Sequence, residues 1–354
     1  SQRDETLEGI WQFSSYTVAL KKEGNVHKAY IVESTNPSWK AGQVKFIVND
    51  PEDNNTAKVT FFMGDHSARQ IDTMTLLGNN EVVLGNSFIV MSREEPRQES
   101  SPEITRYVRL LSTKAPLFEK VSENTVLVRI PAFDHAFKKD IDAVIAKHLD
   151  TILKTENLII DIRGNGGGSD VSYASLLPIL YTNPIRTVGM EYLSTELNNS
   201  RMLGFLQNPH FSEEEKQWAK DGYDILNQHI GSYINIDEDV TVETFDKIEP
   251  LPKSIGVLVD SSNGSTAEQF LLAAKQSKKV KLFGQTTAGV LDISNMYQTD
   301  SPSGTFTLYY SLTKSLRIPH MAIDGVGIQP DYYIDGELPL YQWTSYTQKI
   351  LEGM

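Results

Sequence analysis

Asn157-Leu-Ile-Ile-Asp-Ile-Arg-Gly-Asn-Gly-Gly-Gly-Ser-Asp170 is the stretch on which the reading of the fold turns. Its apolar first half has the unbroken pattern of a strand buried on both faces, as in a sheet covered by helices. It ends in three consecutive glycines, Gly166 to Gly168, and residues 171–181 read as a helix. Glycines at such a junction let the backbone approach a ligand and turn its N–H groups toward an anion. A phosphate loop is excluded, because neither the P-loop lysine nor the Gly-x-Gly-x-x-Gly spacing is present. An oxyanion hole fits the pattern better.

A second strand-to-helix junction follows in Ile255-Gly-Val-Leu-Val-Asp-Ser-Ser-Asn-Gly-Ser-Thr-Ala-Glu-Gln-Phe270. Ser265 stands where the apolar run gives way to a helix, beside the unsatisfied N–H groups of a first helical turn. A serine there reads either as a plain N-cap or as a nucleophile held at the mouth of a pocket. The alternation continues on both sides. Strands are expected at 126–131, 158–162, 255–260 and 279–283, with helices near 138–155, 171–181 and 265–277, which makes an α/β core with a central sheet covered by helices. The first 110 or so residues differ. Short strand-like runs at 16–20, 28–33, 43–48, 57–62 and 87–91, separated by turns such as Glu23-Gly-Asn25 and Asp53-Asn-Asn55, predict an antiparallel sheet or small barrel. The charged, proline-bearing stretch 93–102 reads as a loop or linker. The expected organisation is a β-rich N-terminal domain over 1–112 and a catalytic core over 113–354, with a helical insertion at about 195–252. Within that insertion Ser212-Glu-Glu-Glu215 is a capping-box signature.

Four motifs occur in order: Asp161-Ile-Arg163-Gly-Asn165-Gly-Gly-Gly168, Ser265-Thr-Ala-Glu268, Gly284-Gln-Thr-Thr287-Ala-Gly289 and Gly327-Ile-Gln-Pro-Asp331. Together with Val126-Leu-Val-Arg-Ile-Pro-Ala-Phe133 they resemble the serine peptidase family of the C-terminal processing (tail-specific) proteases and the tricorn protease core, over roughly residues 116–340. The resemblance implies a serine endopeptidase without metal or cofactor, acting on peptides or proteins. It also implies Ser265 as nucleophile and an oxyanion hole from the N–H groups of Gly166, Gly167 and Thr266. In the tail-specific branch a lysine acts as base, and its position here is Val290, which cannot take a proton. The resemblance therefore points to the tricorn-like branch, with a histidine base and an orienting carboxylate. His66 in Asp65-His66-Ser67 matches the upstream histidine segment of that branch. His135 and His320 follow as alternatives, while His148, His210 and His229 read as solvated-face residues. Asp324, ahead of Gly327-Ile-Gln-Pro-Asp331, is the expected orienter. Asp161 and Arg163 are expected to satisfy each other. Glu268 reads as structural. The alternative from another class is a non-catalytic ligand- or peptide-binding protein on the same fold.

Composition bounds these readings. The 354 residues are 40% hydrophobic, enough for real cores in two domains. A net charge of −13 with no basic stripe argues against nucleic acid as a partner. The absence of cysteine removes a disulfide framework, a thiolate metal site and a cysteine nucleophile. No apolar run is long enough to span a bilayer. With the family's habits, this places the expected location in the periplasm or at the cell surface of a bacterium.

Overall fold

The computed structural model describes residues 7–49, 57–85, 89–209 and 212–353. The turn expected at Asp53–Asn55, part of the run at 87–91, and His210 lie outside them. The chain divides into two compact units, one of residues 1–114 and 336–346, the other of 115–335 and 347–354. The return of 336–346 to the first unit carries no pattern of its own in the sequence.

The first unit is a nine-stranded sheet with β1 (Gly9–Phe13), β2 (Tyr16–Glu23), β3 (Val26–Ser34), β4 (Val44–Asn49), β5 (Lys58–Phe62), β6 (Ala68–Ile71), β7 (Met74–Leu77), β8 (Glu81–Leu84) and β9 (Ile89–Glu95). The order is β6-β5-β4-β3-β2-β1-β9-β8-β7, so β6 and β7 end the sheet. Alternation sets its faces: in β3 every second residue is buried, and Ala29 and Ile31 join Trp11, Val18, Phe46 and Val48 in one core. Glu23 pairs with Val26 across a two-residue turn that requires Gly24 at φ +63°. The stretch expected as a loop differs. β9 runs to Glu95, and helix α1 (Pro102–Ser112) begins where the Ser101 hydroxyl accepts from the Ile104 N–H, with proline at the first helical position.

The second unit holds the α/β core. Strands β10 (Leu117–Lys120), β11 (Thr125–Arg129), β12 (Asn157–Asp161), β13 (Ser254–Val259), β14 (Val280–Gly284) and β15 (Tyr332–Tyr333) lie side by side in that order. β10 is antiparallel to β11, and from β11 onward neighbours are parallel. Every residue of β11 and β12 is buried. One face packs Val126, Val128, Leu158, Ile160, Val257 and Val259 with Ile141, Ile145 and Ile152 of helix α2 (Lys138–Ile152). On the other face a Cβ at Gly256 would meet Thr347 and Leu351 of the C-terminal helix, which packs directly on the strand. The helix expected at 171–181 is instead a 3₁₀ run over 170–176 followed by one α-turn. The insertion carries helices α3 (Glu196–Leu206) and α4 (Glu213–Asn227), and the capping box at Ser212 and Glu215 is formed. No helix among the described residues is long and apolar enough to cross a membrane.

One buried cation stands out in the first unit. Lys45, 1% exposed, donates to the Phe62 carbonyl at 2.6 Å and lies over the rings of Trp39, Tyr16 and Phe61 at 4.0, 4.2 and 4.8 Å. The ring faces favour the ammonium, but burial outweighs them and pushes its pKa down to about 8 from 10.5. A lysine that is easier to deprotonate when folded makes stability rise with pH between those two values, since the unfolded chain holds the extra proton. The stability of the wild type relative to Lys45→Met, measured by urea unfolding, is expected to increase from pH 8 toward 10.5. A difference that stays flat over that window would show that the ammonium is not desolvated.

Candidate active site

The parallel pairing of β12 with β13, in register from Asn157↔Ser254 to Asp161↔Leu258, sends the loops after both strands out of the same edge of the sheet. The loop after β14 leaves there too, because β13 and β14 are also parallel. Sites in open α/β sheets form at such carboxyl ends. The glycine run and Ser265 are thereby neighbours although about a hundred residues apart in sequence.

Ser265 heads helix α5 (Thr266–Ala274) at φ +54°, ψ −127°, and its side chain makes no capping hydrogen bond. The N-cap reading is thus not the geometry found. A non-glycine residue held there is strained, and such strain persists only where the surroundings impose it. It resembles the turn that presents a nucleophilic serine between strand and helix. Gly167, at φ +109°, lies against this turn: a Cβ on it would come within 2.7 Å of the Gly264 carbonyl and 2.8 Å of the Ser265 Cβ. A Cβ on Gly264 would meet Val290 Cγ2 at 2.6 Å, so the position of the absent lysine adjoins the residue before the serine.

Several buried polar side chains hold these loops. Asn263, fully buried, donates to the carbonyls of Ile162 (2.6 Å) and Asn165 (3.0 Å) and accepts from the Asp260 N–H. Both Asp260 oxygens accept from the Gly164 N–H; burial raises its carboxyl, opposed by the N–H bonds from Gly164 and Ser262. Glu268, one turn into α5 and wholly buried, accepts from the Thr287 hydroxyl (2.5 Å) and the N–H groups of Gly289 (2.8 Å) and Val290 (2.9 Å). The expected pairing of Asp161 with Arg163 is present, with Arg129 added at 3.4 Å. Burial presses Asp161 toward neutrality, but the two guanidinium groups outweigh it and keep the carboxyl below its usual range.

The expected oxyanion donors divide. The Gly167 N–H is already given to Asn165 Oδ1 at 2.9 Å, which removes it from that role. Thr266 N–H, the free first donor of a helix, and Gly166 N–H have no acceptor among the described residues. Sequence reasoning missed Asp170, whose carboxyl is pushed up by burial against the opposing influence of the neighbouring Thr266 side chain. The residue as a whole is exposed, so the push is on the carboxyl end alone. Its place directly after the glycine run was the available signal.

Ser265 and Asp324 belong to the second unit, His66 to the first. His66 sits in the β5–β6 turn at φ +67°, its ring 4.2 Å from that of Trp39 and its Nε2 2.9 Å from the Ser38 carbonyl. A carbonyl only accepts, so Nε2 carries the hydrogen and Nδ1 keeps its lone pair when the ring is neutral. Asp65 accepts from Ser67 rather than from the imidazole. The Asp324 carboxylate accepts three backbone N–H groups, from Leu291 (2.6 Å), Asp292 (2.7 Å) and Ile293 (3.1 Å). Asp292 replies by accepting from Ile323 and Asp324 while pairing with Arg317. Within the first unit the Ser38 carbonyl fixes the His66 tautomer, and within the second Asp324 knits a loop. His135 lies two residues beyond Phe133, whose N–H bonds the Gly167 carbonyl. His148 stacks on Phe118. No group of three or more His, Asp or Glu residues able to hold a metal occurs among the described residues.

Gly167→Ala places a methyl group against both the serine and the backbone in a conformation L-residues avoid. It is expected to lower stability by about 2–4 kcal/mol and any activity at Ser265 at least about tenfold. Wild-type stability for Gly167→Ala, read by thermal unfolding, would contradict the contact.

Residues 124–334 match peptidase family S41. A protein of Chlamydia muridarum, described as uncharacterized, is 25% identical over 268 residues, covering 65% of this chain and 44% of that protein. The chain thus spans less than half the length of that curated relative. Among solved structures it is similar to mature CPAF (15% identity, 98% of this chain and 84% of that one, TM-score 0.49). It is also similar to the photosystem II D1 C-terminal processing protease (11%, 92% and 74%, TM-score 0.41) and to the tricorn protease (11%, 97% and 28%, TM-score 0.38). The family match covers well over half of the 354 residues and includes both the glycine run and Ser265. The chain belongs to peptidase family S41, the serine peptidase family to which its motifs point.

Proposed function

We propose that this chain is a serine endopeptidase in which Ser265 attacks the carbonyl carbon of a peptide bond. The observation that carries the reading is the strained Ser265 turn, packed against Gly167 and free of any capping bond. As the carbon–oxygen bond forms, the serine proton passes to a base and the carbonyl oxygen becomes an oxyanion. The N–H groups of Thr266 and Gly166 take that charge. Collapse of the tetrahedral adduct expels the amine, to which the base returns its proton, and water then releases the acyl group by the reverse path.

His66 is the base in this reading, because Val290 removes the lysine alternative and the Ser38 carbonyl leaves the His66 Nδ1 lone pair free. Asp324 serves by holding the 291–293 backbone beyond Val290.

Ser265→Ala is expected to lower peptide turnover by about 10³-fold or more while changing stability by less than about 1 kcal/mol. Wild-type turnover in that variant would end the proposal. His66→Gln is expected to reduce turnover by about 10³-fold and to abolish the acid limb of the rate–pH profile. Full activity with that limb intact would move the base to His135.

A further inference from the structure

A cavity of about 260 Å³ that Ser265 does not line lies between the helices of the insertion and residues 192, 193, 295 and 312. That is slightly below the roughly 300–1,000 Å³ of sites for drug-sized ligands. Met202 and Leu226 are buried in its wall, and Phe205 and Trp218 present rings 6.3 Å apart. The polar groups are unusual for so apolar a space. Arg201 is half-buried, and its one hydrogen bond among the described residues is a long one, 3.3 Å to the Asn295 carbonyl. Its guanidinium lies 5.1 Å from the Phe205 ring centroid, and its ionisable neighbours are the phenols of Tyr192 and Tyr297, with no carboxylate paired to it among the described residues. Burial lowers its pKa, the mark of a cation losing water without gaining a counter-charge.

Two acceptors complete the lining. Glu215 stands exposed at the rim with Oε2 taking the Ser212 N–H, and it does not pair with Arg201. Asn199 is 1% exposed, and its Oδ1 has no partner. Its amide orientation is fixed by chemistry: the Ser194 hydroxyl spends its hydrogen on the Leu226 carbonyl, so it must accept from Asn199 Nδ2. An uncompensated cation and a separate, exposed carboxylate around an apolar space suit a ligand carrying both charges at one end and an apolar group at the other.

We propose that this cavity binds a free α-amino acid with an aromatic or large apolar side chain. Arg201 takes its carboxylate, Glu215 its ammonium, and Phe205 and Trp218 its side chain. The site is separate from the hydrolytic residues, so the inference stands whether or not Ser265 is a nucleophile.

Isothermal titration of the full chain carrying Ser265→Ala tests it with L-phenylalanine as the probe. The expected Kd is about 0.1–1 mM for a ligand of this size. L-phenylalaninamide, which lacks the carboxylate, is expected to bind at least about tenfold more weakly, the cost of leaving the half-buried Arg201 charge unpaired, and N-acetyl-L-phenylalanine, which lacks the ammonium, at least about threefold more weakly, the loss of one charge-assisted contact at the exposed rim. Arg201→Met should abolish binding, and Arg201→Lys, which restores the charge, should recover part of it. Absence of saturable binding, equal affinity for the amide, or binding unchanged in Arg201→Met would overturn the site. Equal affinity for the N-acetyl compound would overturn the zwitterion and leave a simple carboxylate site.

Discussion

The bare backbone at Gly167 is the constraint on which the site depends. With no Cβ there, the glycine loop lies against Gly264 and Ser265, and the serine is kept in a conformation it would not adopt alone. The sheet makes this contact possible, because parallel β12 and β13 release both loops at one edge. The fold supplies the meeting and the glycine supplies the clearance. Neither would suffice alone.

Strain of this kind costs about 1–3 kcal/mol per residue and survives only when neighbours over-determine it. Buried carboxylates and amides supply that determination. Asn263 and Asp260 bind the glycine loop to the end of β13, and Glu268 binds the 287–290 segment to the helix that Ser265 begins. Asp292 and Asp324 exchange backbone hydrogen bonds between 291–293 and 323–324. Each spends its oxygens on N–H groups that would otherwise be buried without partners. The family motifs are thus largely a set of loop fasteners, with the reacting serine among them.

The core was legible because its strands are uninterrupted apolar runs and its junctions are marked by glycine or serine. Strand positions in 125–161 and 254–284 agree with the expected ones to within two residues or so. Less was legible where a signal was short or depended on contacts distant in sequence. The helix at 102–112 hid behind a charged, proline-bearing lead-in, although Ser101-Pro102-Glu103 is a helix start. The segment 171–181 was readable as helical but not as 3₁₀, which its neighbours impose. Among site residues, Ser265 and the glycine run stood out by local chemistry. The commitment of the Gly167 N–H to Asn165 and the occupation of Asp324 by three backbone amides are products of tertiary placement.

The most direct measurement is the site of reaction of the folded chain with a fluorophosphonate, mapped by mass spectrometry after tryptic digestion. The account predicts a single adduct, on the peptide running from Ser254 to Lys275 and located at Ser265, formed in the native protein and absent after unfolding in urea. An adduct on any other serine, or none at Ser265 in a preparation that cleaves peptides, would contradict it.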